Sequence, residues 1–175
     1  MSNRRERQAD CFPRQKENAV KPKKTVWSRI SEALCLLLMV GTIAYLAVMW
    51  KSIPDTIPAH YNAAGEVNRW GDKSELIFLP IIGGMLYFLI TLVQQYPEAW
   101  NTGVKVTEQN RERVYQILGN LIGTTKLMML AVFSSLTVLS SLGLSLPIWY
   151  LGVFLLLLFG AIAFFLVQLS KERQR

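Results

Sequence analysis

Histidine occurs once and cysteine twice in the 175-residue sequence, and these shortages exclude most metal and thiol chemistry at the outset. A zinc site needs three or four ligands, so His60 could contribute to one only if Asp55, Glu66 and Asp72 folded around it. Cys11 lies in a basic tail and Cys35 inside an apolar block, so no disulfide is expected, neither has metal-type spacing, and both are read as unpaired thiols. Palmitoylation of Cys11 is the weaker alternative. There is also no phosphate-cradling glycine loop, no serine or cysteine triad context and no H-E-x-x-H helix. No catalytic residue, cofactor or metal is therefore expected, and an enzyme is disfavoured.

Acidic residues are scarce too, 12 against 19 Lys and Arg, for a net charge of +7. A basic balance can mark nucleic-acid binding, but here its distribution argues otherwise. Residues 1–29 hold nine Lys and Arg against Glu6, Asp10 and Glu17, a surplus of six, and the rest is almost neutral. A basic tail abutting an apolar block retains a cytoplasmic end and meets anionic lipid headgroups. The expected partner of this tail is thus the lipid bilayer, and no nucleic acid.

What the sequence has in excess is apolar residues, 51% of the chain, gathered in four blocks. A chain this short cannot bury so much apolar surface in one aqueous core, so a second solvent is implied. At about 1.5 Å per residue, blocks of some twenty residues cross a hydrocarbon core about 30 Å thick. The expected organisation is a basic tail (1–29), a first span (30–50), an outer loop (51–75), a second span (76–96), a surface segment (97–117), a third span (118–142), an outer turn (143–147), a fourth span (148–169) and a short tail (170–175). The first block exceeds a signal-peptide core and is followed by no small-residue cleavage pattern, so it is expected to stay as an anchor. Residues 98–117, polar and charged, read as a surface helix running into the third span.

Within the spans, Pro80 stands near the start of the second, where the first amides lack internal partners, and Gly83 and Gly84 can admit a neighbouring helix. Gly119 and Gly123 in the third form a G-x-x-x-G spacing, read as packing inside the bundle rather than a dimer motif. Counting flanks, fifteen Lys and Arg fall on one side and three, Lys51, Arg69 and Lys73, on the other. By the positive-inside rule, both termini are expected in the cytoplasm. The fold class expected is an all-α integral membrane protein, a four-helix transmembrane bundle with a small hairpin-like extracytoplasmic loop.

That loop concentrates the chemistry. Pro54, Asp55, Ile57, Pro58, His60, Tyr61, Asn62, Gly65, Asn68, Trp70 and Lys73 fall within about twenty residues. Pro54 and Pro58 favour extended backbone, Asn62 to Gly65 supply a turn, and Val67 to Trp70 can return as a strand. His60 offers proton or metal chemistry, with a hydrogen bond inside the loop as the favoured reading. Asn62 and Gly65 are expected to fix the turn, Trp70 to pack at the interface, and Lys73 to meet a headgroup or a loop carboxylate. Lys126 is an intramembrane charge near the inner end of the third span, expected to snorkel toward phosphates, with Glu32 the sole acidic residue near the same face.

The run P-D-x-I-P-x-H-Y-N-x-x-G-x-x-N-R-W-G-x-K, within a stretch from about Leu36 to Gly84, resembles the bacterial membrane family known as domain of unknown function 1648. The Arg111-x-Arg113 pair and Lys126 are similar to these proteins as well. The chain departs from the pattern at Asn68, where the family often has aspartate, and at Tyr61, where it has another aromatic such as Phe. The same domain occurs in the immunity family for the sporulation-delaying peptide toxin, whose members protect the producing membrane and can hold a repressor at it. The resemblance implies a multi-pass protein of the bacterial cytoplasmic membrane with a peptide-sensing role. The function expected is therefore non-catalytic recognition of a ligand or partner by the outer loop, in envelope sensing or peptide-toxin immunity. A peptide or membrane-protein partner and a homo-oligomer are left open. The alternatives are a small transporter or accessory subunit, using the hydroxyls of the third span, and an enzyme acting on lipid head groups.

Overall fold

A computed structural model describes residues 22–173. Four helices carry the fold: α1 (Val26–Met49), α2 (Phe78–Gln95), α3 (Arg111–Ser141) and α4 (Tyr150–Glu172). All four are long and apolar enough to cross a membrane, the composition of a multi-pass membrane protein. Between α1 and α2 lies an antiparallel pair, β1 (Thr56–Tyr61) and β2 (Val67–Asp72), followed by a 3-10 turn over Lys73–Ile77. Most of the basic tail, including Cys11, lies outside the described residues, as does Arg175.

The helix ends follow local chemistry. Helix α1 starts at Val26, earlier than the Ile30 expected, because Thr25 caps it by accepting from Ser28 N at 3.0 Å. Thr25 also donates to Asn120 at 2.6 Å, and the Trp27 indole donates to Thr124 at 2.8 Å, tying the start of α1 to α3. The expected surface helix over 98–117 exists only from Arg111, where it is the first part of α3. Residues 97–110 instead make a 3-10 turn, Pro97–Ala99, and then irregular chain through Gly103. This segment folds inward: Trp100, Val104 and Val106 pack on Val114, Ile117, Leu118, Phe165 and Leu169. The buried Asn110 amide donates to the carbonyls of Lys105 and Glu172.

Helix α3 is central and packs on each of the other three. Gly123 lies against α1, with a Cβ there falling 3.2 Å from Ser31 Oγ, and Gly83 of α2 lies against Phe133 of α3. The G-x-x-x-G spacing is therefore used within the chain. The third-span hydroxyls act as fasteners: Ser141 pairs with Tyr45 of α1 at 2.8 Å, Ser135 with Tyr150 of α4 at 2.5 Å, and Ser140 donates to Pro58 O of β1. The outer surface stays apolar, and only 6% of the most apolar window of α4 is buried. So large an exposed apolar surface is stable against hydrocarbon and not against water.

Candidate functional site

The loop motif folds as a hairpin fastened at its base, middle and tip. At the base, Lys73 Nζ meets Asp55 at 2.6 Å, Lys73 N donates to Asp55 O at 3.0 Å, and the ammonium stands 6.0 Å from the Trp50 ring centre. Of the partners weighed for Lys73, the loop carboxylate is the one seen. Ile57, 2% exposed, anchors the hairpin among Leu46, Ile53 and Leu76. Pro58 sits within a strand because the ladder is irregular beside it, with register shifts between Pro58, His60 and Tyr61.

The tip is a turn built by Asn62. Its Oδ1 accepts from Ala64 N and Glu66 N, its amide donates to Glu66, and its backbone carbonyl accepts from Gly65 N. Gly65 has φ +85°, a conformation that side chains with a Cβ resist. From there the hairpin reaches the turn between α3 and α4: Leu146 N donates to Gly65 O at 2.8 Å, and the Tyr61 hydroxyl donates to Leu144 O at 3.0 Å. Burial pushes the Tyr61 phenol above its ordinary pKa, so the hydroxyl keeps the proton it donates. Tyr61→Phe is expected to cost about 1 kcal/mol, the usual net worth of one hydrogen bond. The loss should appear as a lower unfolding midpoint of the reconstituted protein, and an unchanged midpoint would show the bond to be idle.

His60 Nδ1 lies 2.6 Å from Asn68 Oδ1, so the ring donates there. The candidate oxygen ligands go elsewhere: Asp55 to Lys73, Glu66 to Asn62, and Asp72 to Ser74. The bonds from Ser74 hold the Asp72 carboxyl below the ordinary aspartate range. Among the described residues no three of His, Cys, Asp and Glu stand together. Trp70 is 55% exposed on the outer strand, and Arg69 makes two bonds to Glu75, at 3.2 and 2.6 Å. Pro54 is exposed at the approach to β1.

Beneath the hairpin is a cleft of about 1150 Å³. Its roof is the hairpin, its floor is α3 at Val132, Leu136 and Thr137, and its walls come from α2 at Phe78 and Ile81 and from α4 at Phe154. Apart from Thr137, one of the third-span hydroxyls, these helix residues carry no motif that marks them in the sequence. Ile57, Pro58, His60, Tyr61, Asn62 and Gly65 all line the same space, so the structure gathers these motif residues at one site, while Pro54, Asp55, Asn68, Trp70 and Lys73 lie outside its lining.

Lys126 stands apart from that site, and it does not snorkel. It is 0% exposed, its ammonium bonded to Glu32 at 2.7 Å, Gln94 at 2.9 Å and Thr91 at 3.1 Å and lying 4.7 Å from the Tyr87 ring centre. Tyr87 in turn donates to Glu32. A full set of partners makes burial cheaper than reaching for an interface. Tyr87, Thr91 and Gln94 recur at helical spacing in α2, a polar stripe legible in the sequence that pointed at this cation.

Residues 37–84 match the model of a domain of unknown function, DUF1648. The DUF1648 segment therefore comprises the C-terminal half of α1, the whole hairpin and the start of α2, the same stretch singled out by the motif. An uncharacterized protein of the archaeon Archaeoglobus fulgidus is 31% identical over 80 residues, spanning 37% of this chain and 43% of its own length. The chain thus matches less than half of that relative. No solved structure matches the chain.

Proposed function

We propose that the chain is a non-catalytic membrane protein in which the DUF1648 hairpin, with the cleft beneath it, recognises a membrane-borne ligand. The reading places this recognition in envelope sensing or in protection against a membrane-active peptide. One observation carries it: the motif residues form the fastened roof of a large cleft rather than a free loop. A rigid loop on a helical scaffold is where binding tends to reside. The polar side chains of the hairpin are engaged in holding its shape, His60 with Asn68, Arg69 with Glu75 and Lys73 with Asp55. The peptide side of the reading draws on the resemblance to the immunity family.

In this reading the hairpin faces away from the cytoplasm and both termini lie within it, in the cytoplasmic membrane of a prokaryote. The fifteen-to-three division of Lys and Arg between the two ends supports that orientation, as does the basic tail expected to meet anionic lipid. A reporter fused after Arg175 should be active only in the cytoplasm; activity outside would reverse the topology.

The functional reading is tested in a strain deleted for the gene. Sensitivity to membrane-active peptides and detergents should change, and should be restored by the wild type but not by His60→Ala or Gly65→Ala. Full complementation by both hairpin variants would remove the recognition role.

A further inference from the structure

The chemistry of the cleft lining selects among occupants. Charge is confined to the rim under the hairpin, where Arg69 and Glu75 neutralise each other at 2.6 Å. Below the rim, the helical wall offers three hydroxyls, and each has its proton engaged elsewhere. Thr137 donates to Phe133 O at 2.7 Å, and Ser140 donates to Pro58 O. Tyr150 donates to Ser135, which passes its own proton to Val132 O at 2.9 Å. A peptide laid against this wall would bring carbonyls that find no side-chain donor, and in a medium without water each such group is costly. A hydrocarbon chain brings none.

Size and access agree with that chemistry. At about 1150 Å³ the cleft exceeds the roughly 300–1,000 Å³ of ordinary small-ligand pockets, leaving room for an extended chain. Its lips are exposed and apolar, Phe78 and Ile81 on α2 and Leu151 on α4, on the same helical surfaces that face hydrocarbon. A chain already dissolved in the bilayer can enter sideways without crossing water, whereas a polar ligand would meet an uncharged wall.

We infer that the cleft holds the hydrocarbon chain of a bilayer amphiphile, with its head group at the hairpin rim beside His60 and Arg69. This rests on the reading of hairpin and cleft as a recognition site and names the occupant. The hairpin then reports on lipid chains, and its contacts with the α3–α4 turn hold the roof over them.

The test uses the full chain in phosphatidylcholine nanodiscs doped with a phosphatidylcholine that carries a diazirine on one acyl chain. After irradiation, peptide mapping is expected to find label on residues 132–140. Leu136→Trp, which fills the floor, and Ile81→Trp, which narrows the exposed lip on α2, should each abolish that label. Label on Leu156 and Phe159, on the exposed face of α4, should persist. Absence of label at 132–140, or label indifferent to both substitutions, overturns the inference. Displacement of the label by an added apolar Leu-Ala peptide also overturns it, in favour of a peptide occupant, and leaves the recognition reading standing. Full complementation by the hairpin variants would instead defeat that reading, whatever the labelling shows.

Discussion

Lys126→Leu is expected to destabilise the bundle by about 3 kcal/mol, near the lower end of what breaking a buried ion pair costs. Removing the ammonium takes the nearest cation from the Glu32 carboxylate, which keeps the hydrogen bond from Tyr87, and it strips Gln94 and Thr91 of their shared donor. The lower end applies because Glu32 retains 35% side-chain exposure, so its orphaned charge keeps some solvent. Three helices are affected together, since Glu32 is on α1, Tyr87, Thr91 and Gln94 are on α2, and Lys126 is on α3. The measurement is the unfolding midpoint of reconstituted protein in a graded denaturing detergent. Adding Glu32→Leu to Lys126→Leu should recover a large part of the loss, because a pair replaced whole leaves no unpaired charge. If the single variant unfolds within about 0.5 kcal/mol of wild type, the range of an ordinary surface change, the Glu32 carboxylate is compensated without the cation and the cluster is not holding the helices.

The sequence made the elements legible in proportion to how local their causes are. Four apolar blocks and the Pro54 to Lys73 motif can be read in a line, because hydrophobic length and turn residues act within a few positions. Two strands separated by Asn62 and Gly65 follow from the same local rules. What escaped reading is what depends on distance in the chain. Lys126 is 94 residues from Glu32, and a charge within an apolar block looks the same whether it snorkels or pairs until the facing helix is known. The surface segment reads as helix down to residue 98 because its polar residues suggest a solvated face. Val104, Val106 and Trp100 instead supply an apolar contact that pulls the chain inward. The cleft was invisible for a different reason: Val132, Leu136 and Phe154 are ordinary membrane-helix residues, and only the way the hairpin is held over them makes a cavity.

That holding is concentrated at Gly65, which makes Gly65→Ala the substitution expected to detach the hairpin. A Cβ at this position would collide with the Leu146 carbonyl oxygen and stand 3.0 Å from Leu146 C and Cβ, backbone and side chain that have little freedom to retreat. The φ of +85° adds strain of about 1 kcal/mol for a residue with a Cβ. Relieving the collision separates the tip from the α3–α4 turn and forfeits the Leu146 N to Gly65 O bond, worth about 1 kcal/mol more. Gly103 supplies the control, because its φ of +65° carries the same kind of strain while open space surrounds its would-be Cβ. Gly103→Ala should therefore show strain alone, and Gly65→Ala strain plus the lost contact. The readout is hydrogen exchange at the Leu146 amide, expected to accelerate by about tenfold or more in Gly65→Ala, since roughly 1.4 kcal/mol corresponds to a factor of ten. In Gly103→Ala that amide should exchange as in the wild type. Equal protection of Leu146 in both variants would mean that the hairpin tip yields without letting go.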